Sequence, residues 1–245
     1  MDGTGTTLNY WRAGIDSVPD EVWRHPAHPA LEVLLLPDNR LTHLPDRIGT
    51  LTGLHTLDLG HNRLTSLPAR LGDLTGLTRF LYLHDNRLAE LPDTLGALDR
   101  LAYLNVGENR LTTLPVTLGA MSGLVELRAQ HNQLTALPDS VGALGALREL
   151  WLRGNRLDRL PPSVRDLREL RELELRENAF TSVPQELRGL PRLRRLDLRS
   201  NRLRELPYWI AELPALEKLD LRWNDVDVAP GLLAELAGRG CVVLR

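Results

Sequence analysis

The stretch Leu54-His-Thr-Leu57-Asp-Leu59-Gly-His-Asn62-Arg-Leu64 decides how this chain folds. Leu57 and Leu59 flank a polar residue, the period of a short strand with one buried face. Asn62 follows where such a strand must end and turn, and its amide both donates and accepts, so it can satisfy backbone groups that the turn leaves unpaired. The same pattern, L-x-x-L-x-L-x-x-N-x-L, returns along the chain. Its asparagines are Asn39, Asn62, Asn86, Asn109, Asn132, Asn155, Asn178, Asn201 and Asn224, spaced by 23 residues with a single step of 24. Each copy then runs on as L-P-x-x-L-G-x-L-x-x-L, as from Leu67-Pro68 through Leu71 and Gly72 to Leu77.

A strand this short cannot bury its leucines alone, but stacked copies can, each covering the next. Stacking gives a parallel sheet with strands about 4.8 Å apart. The Leu-Pro step holds the outer segment extended or turning and removes an N–H there. The short return admits no long helix, so 3₁₀ or irregular turns are predicted on that side.

With nine copies in register, the chain resembles the leucine-rich-repeat family, in the 23-residue form of intracellular Ras-associated scaffolds and bacterial cytoplasmic members. The resemblance covers about Leu8 to the C-terminus. It implies an α/β fold: a right-handed solenoid, or horseshoe, with a parallel sheet on its concave face and short 3₁₀ turns on its convex face. One domain is expected over 1–245. Residues 1–30 read as a degenerate capping repeat with Ala13 in place of the asparagine, followed by three extra residues in the Arg24–Pro29 stretch. Residues 31–229 hold nine repeats. Residues 230–245 read as a C-terminal cap, a short helix over Gly231–Gly238 and a last strand over Cys241–Leu244.

Strand alternation turns positions 3, 5 and 7 of each repeat outward on the sheet, with position 8 beside them. The resemblance implies that this concave face binds a protein partner. Its middle carries Tyr82, Tyr103, Arg128 and Trp151, the residue types enriched at binding hot spots, in a chain only 4% aromatic. Its C-terminal half carries an arginine column, Arg153, Arg176, Arg199 and Arg222, beside an acidic one, Glu174, Asp197 and Asp220. The two columns read either as a self-neutralising ladder of small energetic value or as a charged docking strip. The extra residue between Leu77 and Leu83 is read as a bulge, which re-aims side chains. It leaves Phe80 either beside the tyrosines or in the core.

The formal net charge of −2 favours neither nucleic acid nor an anionic membrane, and carboxylates beside the arginine column oppose phosphate. No apolar run is long enough to span a bilayer, and Met1–Tyr10 lacks the apolar core of a signal peptide. The lone Cys241 excludes an intrachain disulfide, and its apolar neighbours read as an inert, buried thiol. A cytoplasmic monomer is expected. The arginine-, alanine-, leucine- and glycine-rich composition points to a GC-rich, bacterial genome. His61 and His131 share a column but stand roughly 14 Å apart by strand spacing, too far for one metal. No phosphate loop, dinucleotide fingerprint or nucleophile elbow is present. The expected function is therefore a non-catalytic, cofactor-free scaffold that binds a protein partner on its concave face, in intracellular signalling. The alternatives are a regulatory or targeting subunit of an enzyme and a secreted bacterial effector.

Overall fold

The computed structural model describes residues 5–28 and 30–245. Residues 1–4 and Pro29, which fall within the expected N-terminal cap and the extra stretch, lie outside the described residues. The described residues form one parallel sheet of eleven three-residue strands, in chain order. They are β1 (Thr7–Asn9), β2 (Val33–Leu35), β3 (Thr56–Asp58), β4 (Phe80–Tyr82), β5 (Tyr103–Asn105), β6 (Glu126–Arg128), β7 (Glu149–Trp151), β8 (Glu172–Glu174), β9 (Arg195–Asp197), β10 (Lys218–Asp220) and β11 (Val242–Leu244). Two α-helices, α1 (Asp20–Arg24) and α2 (Pro230–Gly238), stand near the two ends.

The strand leucines do what their alternation predicts. Leu57 and Leu59, like Leu81, Leu83, Leu150 and Leu152, are almost wholly buried. Opposite the sheet, eight 3₁₀ helices among the described residues line the return path, from Asp46–Thr50 to Tyr208–Glu212. A proline caps the start of each, beginning with Pro45, Pro68 and Pro92. Its fixed φ sets the entry, and the absent N–H is one that a first helical turn leaves unpaired anyway. The 3₁₀ segments stack closely. A Cβ on Gly119 would meet the Ser140 carbonyl oxygen at 2.4 Å, so a glycine is required there.

The asparagines form a continuous ladder. Asn86 donates to the Leu59 carbonyl of the preceding repeat at 2.9 Å and to Leu83 O at 3.1 Å, while its own oxygen accepts the Leu64 N–H at 2.9 Å. Asn132 repeats the arrangement with Val106, Ala129 and Leu111. Each buried amide thus ties two repeats, and losing one leaves backbone groups unpaired at about 1–3 kcal/mol.

The extra residue of the 24-residue step does not bulge the strand, which corrects the expectation drawn from its spacing. Phe80, Leu81 and Tyr82 pair one for one with Thr56, Leu57 and Asp58 before them and with Tyr103, Leu104 and Asn105 after them. The insertion is absorbed just ahead of β4. There Ala102 N–H and Tyr103 N–H go separately to the Thr78 and Arg79 carbonyls, whereas one repeat later Val125 and Glu126 share the Ala102 carbonyl. A slip within the strand would turn every core leucine outward, while a turn residue has free dihedrals to take up the length. Phe80 accordingly occupies position 3 and is 40% exposed.

Candidate functional site on the concave face

Consecutive strands bring Tyr82 (β4), Tyr103 (β5), Arg128 (β6) and Trp151 (β7) side by side on the outward face of the sheet, and Phe80 joins them from position 3 of β4. The rings of Phe80 and Tyr82 stack at 5.8 Å between centroids, Phe80 meets Tyr103 edge-on at 5.6 Å, and Tyr82 lies 5.1 Å from Tyr103. Arg128 bridges the tyrosines to the indole, 5.7 Å from the Tyr103 ring centre and 5.2 Å from that of Trp151. Its Nε donates to Glu126 at 2.5 Å, and the Trp151 N–H donates to Glu149 at 3.2 Å. These contacts hold the side chains in place. Burial pushes the Tyr103 hydroxyl up to about 12, and its oxygen accepts the Asn105 amide N–H at 3.4 Å.

Toward the N-terminus the run continues through His84, 5.9 Å from Tyr82, and His61, 4.9 Å from His84. The space His84 fills depends on Gly60, where a Cβ would meet its ring at 2.4 Å. Burial, reinforced by His61, pushes the His84 imidazole below its ordinary value. His61 pairs with Asp85. Among the described residues, no group of three or more His, Cys, Asp or Glu is placed to hold a metal ion.

The arginine column lies apart from this cluster, and its charges are engaged. Arg153 and Arg176 both reach Glu177, at 3.3 and 2.8 Å. Arg199 grips Asp197 with two nitrogens, at 2.8 and 2.5 Å. Arg222 grips Asp220 likewise, at 2.9 and 2.7 Å. Burial pushes the Asp220 carboxyl up, but the hydrogen bonds from Arg222 and the charge of Arg199 outweigh it and hold it below its ordinary range. The self-neutralising reading of this strip is therefore the one the geometry supports.

Three features of this face were not assigned from the sequence. Phe80, left open between the tyrosines and the core, lies beside the tyrosines, as counting back from Leu81 rather than forward from Leu77 would have decided. Trp223, 63% exposed, stands over three arginines of the column, with Arg222 at 5.4 Å and Arg176 at 5.5 Å. Position 8 is left-handed throughout, from Asp38 (φ 56°) and His61 (φ 52°) to Trp223 (φ 61°), with glycine only at Gly154. L-residues other than glycine, asparagine and aspartate seldom adopt that conformation. The residues themselves give no signal of it.

A family model for the leucine-rich repeat matches residues 29–88, 78–134, 145–203 and 168–226. The chain belongs to the leucine-rich-repeat family. Solved structures of the same fold include a leucine-rich-repeat protein of Leptospira interrogans, at 28% identity and a TM-score of 0.73, covering 94% of this chain and 69% of that one. The ectodomain of the Arabidopsis thaliana receptor kinase GASSHO1/SCHENGEN3, in complex with CASPARIAN STRIP INTEGRITY FACTOR 2, is 32% identical with a TM-score of 0.77 over 92% of this chain and 28% of its own. The Arabidopsis HAESA ectodomain, in complex with an N-terminally extended IDA peptide hormone, is 28% identical with a TM-score of 0.75 over 89% of this chain and 38% of its own. This leucine-rich-repeat chain thus spans well under half the length of the two plant chains. No curated protein matches it. The leucine-rich-repeat fold is a protein-interaction scaffold, and the HAESA ectodomain holds a peptide hormone ligand.

Proposed function

We propose that this leucine-rich-repeat protein is a non-catalytic scaffold that grips a protein or peptide partner with the centre of its concave face. The observation that carries the reading is the contiguous cluster of Phe80, Tyr82, Tyr103, Arg128 and Trp151. These rings and one cation touch one another on an open sheet face in a chain with few aromatics. Solvent-facing aromatic and arginine anchors, locked by their neighbours, are what interface hot spots are made of. The 23-residue repeat, shared with intracellular members of the family, supports a setting in intracellular signalling.

The test is affinity capture from source-cell lysate with wild type and with the Tyr82→Ala/Tyr103→Ala/Trp151→Ala variant, followed by direct titration of any protein recovered. A protein retained by wild type and lost by a variant of unchanged circular dichroism is the expected result. Equal recovery by both would remove the central face from the binding site.

A further inference from the structure

Immediately C-terminal to the aromatic cluster, the face sinks into a pocket of about 210 Å³ bordered by Trp151 and by side chains of β8, β9 and β10. Its charges are not all matched. Arg195 pairs with Glu172 at 3.1 Å. Arg199 pairs with Asp197 and lies 3.5 Å from Asp220, which Arg222 also holds. The Glu174 carboxylate makes no hydrogen bond or ion pair among the described residues, although the residue is half-buried. Three arginines surround it, but each directs its guanidinium elsewhere: Arg153 and Arg176 to Glu177, Arg199 to Asp197. Glu174 also stands in register between Trp151 on β7 and Asp197 on β9. Burial and the adjacent Asp197 push its carboxyl up. The charges of Arg153, Arg199 and Arg176 temper that push without cancelling it, so the folded chain keeps a half-buried carboxylate with no direct partner at the foot of an indole, an arrangement that costs stability.

We propose that this pocket receives a basic side chain, lysine or arginine, from a protein partner, with Glu174 as its counter-charge and Trp151 as its wall. The inference rests on the concave-face reading above. Arg128 covers the indole from the β6 side, and the pocket meets it from the β8 side. A guanidinium or ammonium there would gain both a charge-assisted hydrogen bond and a cation–π contact. Among the side chains that border the pocket itself, four are acidic and three basic; Arg153, Arg176 and Arg222, just outside it, are engaged by Glu177 and Asp220. Lys218, on β10, is the one cation of the pocket without a partner among the described residues, and it opposes a basic ligand from the far wall.

The probe is N-acetyl-arginine amide, titrated into the ¹⁵N-labelled full chain while following the Trp151 indole N–H, which Trp151→Phe identifies by its loss. The controls are N-acetyl-norleucine amide and N-acetyl-glutamate amide. A saturable shift with the arginine probe alone is expected. Glu174→Gln should weaken it about tenfold or more while thermal stability holds or rises, because the variant removes an unpaired charge. Lys218→Met should tighten it. A merely structural Glu174 predicts the reverse for stability, and Glu174→Asp, which keeps the charge on a shorter arm, should fall between. An equal response to the norleucine probe, no saturable response to the arginine probe, or undiminished binding by Glu174→Gln would overturn the proposal. A partner lost with the central rings, together with a silent arginine probe, would refute the pocket and leave the wider reading standing. A responsive pocket with no ring-dependent partner would do the opposite.

Discussion

The centre and the C-terminal half of the concave face are built on the same backbone, three residues per strand in strict register, yet they use their outward positions in opposite ways. At the centre, Phe80, Tyr82 and Tyr103 touch one another through faces and edges, and Arg128 links them to Trp151, so that each ring keeps part of its surface open. In the C-terminal half, Arg199 and Arg222 are closed onto Asp197 and Asp220. A ring can stack on its neighbour and still offer its other side, whereas a carboxylate gripped by two guanidinium nitrogens has little left to offer. Richness in hot-spot residue types is therefore a poor guide by itself; what matters is whether each side chain is already matched inside the fold. By that measure Glu174 belongs with the centre, although it sits in the charged half.

The largest expected effect tests this division directly. Trp151→Ala should weaken binding of the captured partner by about 2 kcal/mol, roughly thirtyfold, whereas Arg222→Ala should leave it within about threefold. Equal losses would erase the distinction between the two regions. The next effect falls on stability. Asp220 has a side chain only 4% exposed and serves both Arg199 and Arg222, so Asp220→Asn should destabilise the fold by about 1–3 kcal/mol, read as a lower Tm. Its folded-state carboxyl is held below the unfolded value of about 3.9. The contribution is thus complete above that pH and fades as the pH falls through the lower folded value, so wild type and variant should converge in strong acid. The smallest effect concerns the N-terminal margin of the aromatic run. The depressed His84 imidazole stabilises the fold above its unfolded value of about 6.5, and that contribution is lost as the pH falls through the folded value. His84→Gln should flatten this acid slope in thermal melts, and an unchanged slope would detach His84 from the run.

Much of the molecule was legible in the residues. The repeat of Leu57, Leu59 and Asn62 gives the strand, its inward face and its turn, and Pro68 marks where the return segment begins. Tyr82, Tyr103, Arg128 and Trp151 could be placed on one outward face because alternation in a strand is a local rule. The 24-residue step shows the reach of that reasoning. Spacing announced an extra residue but not which backbone bond would absorb it, because a strand and the turn before it compete for the insertion on the strength of contacts made with neighbouring repeats.

The architecture and the membership of each column follow from the residues alone, since a 23-residue period with buried leucines and paired asparagines admits one way to stack. Which outward side chains remain unmatched depends on how the folded repeats meet. Whether Arg153 meets Glu177 or Glu174, whether Phe80 reaches Tyr103, and whether Glu174 is left unmatched are questions of a few ångströms between residues about 23 positions apart. A hydrogen bond or an ion pair is won or lost over that distance, and the one-dimensional pattern does not resolve it.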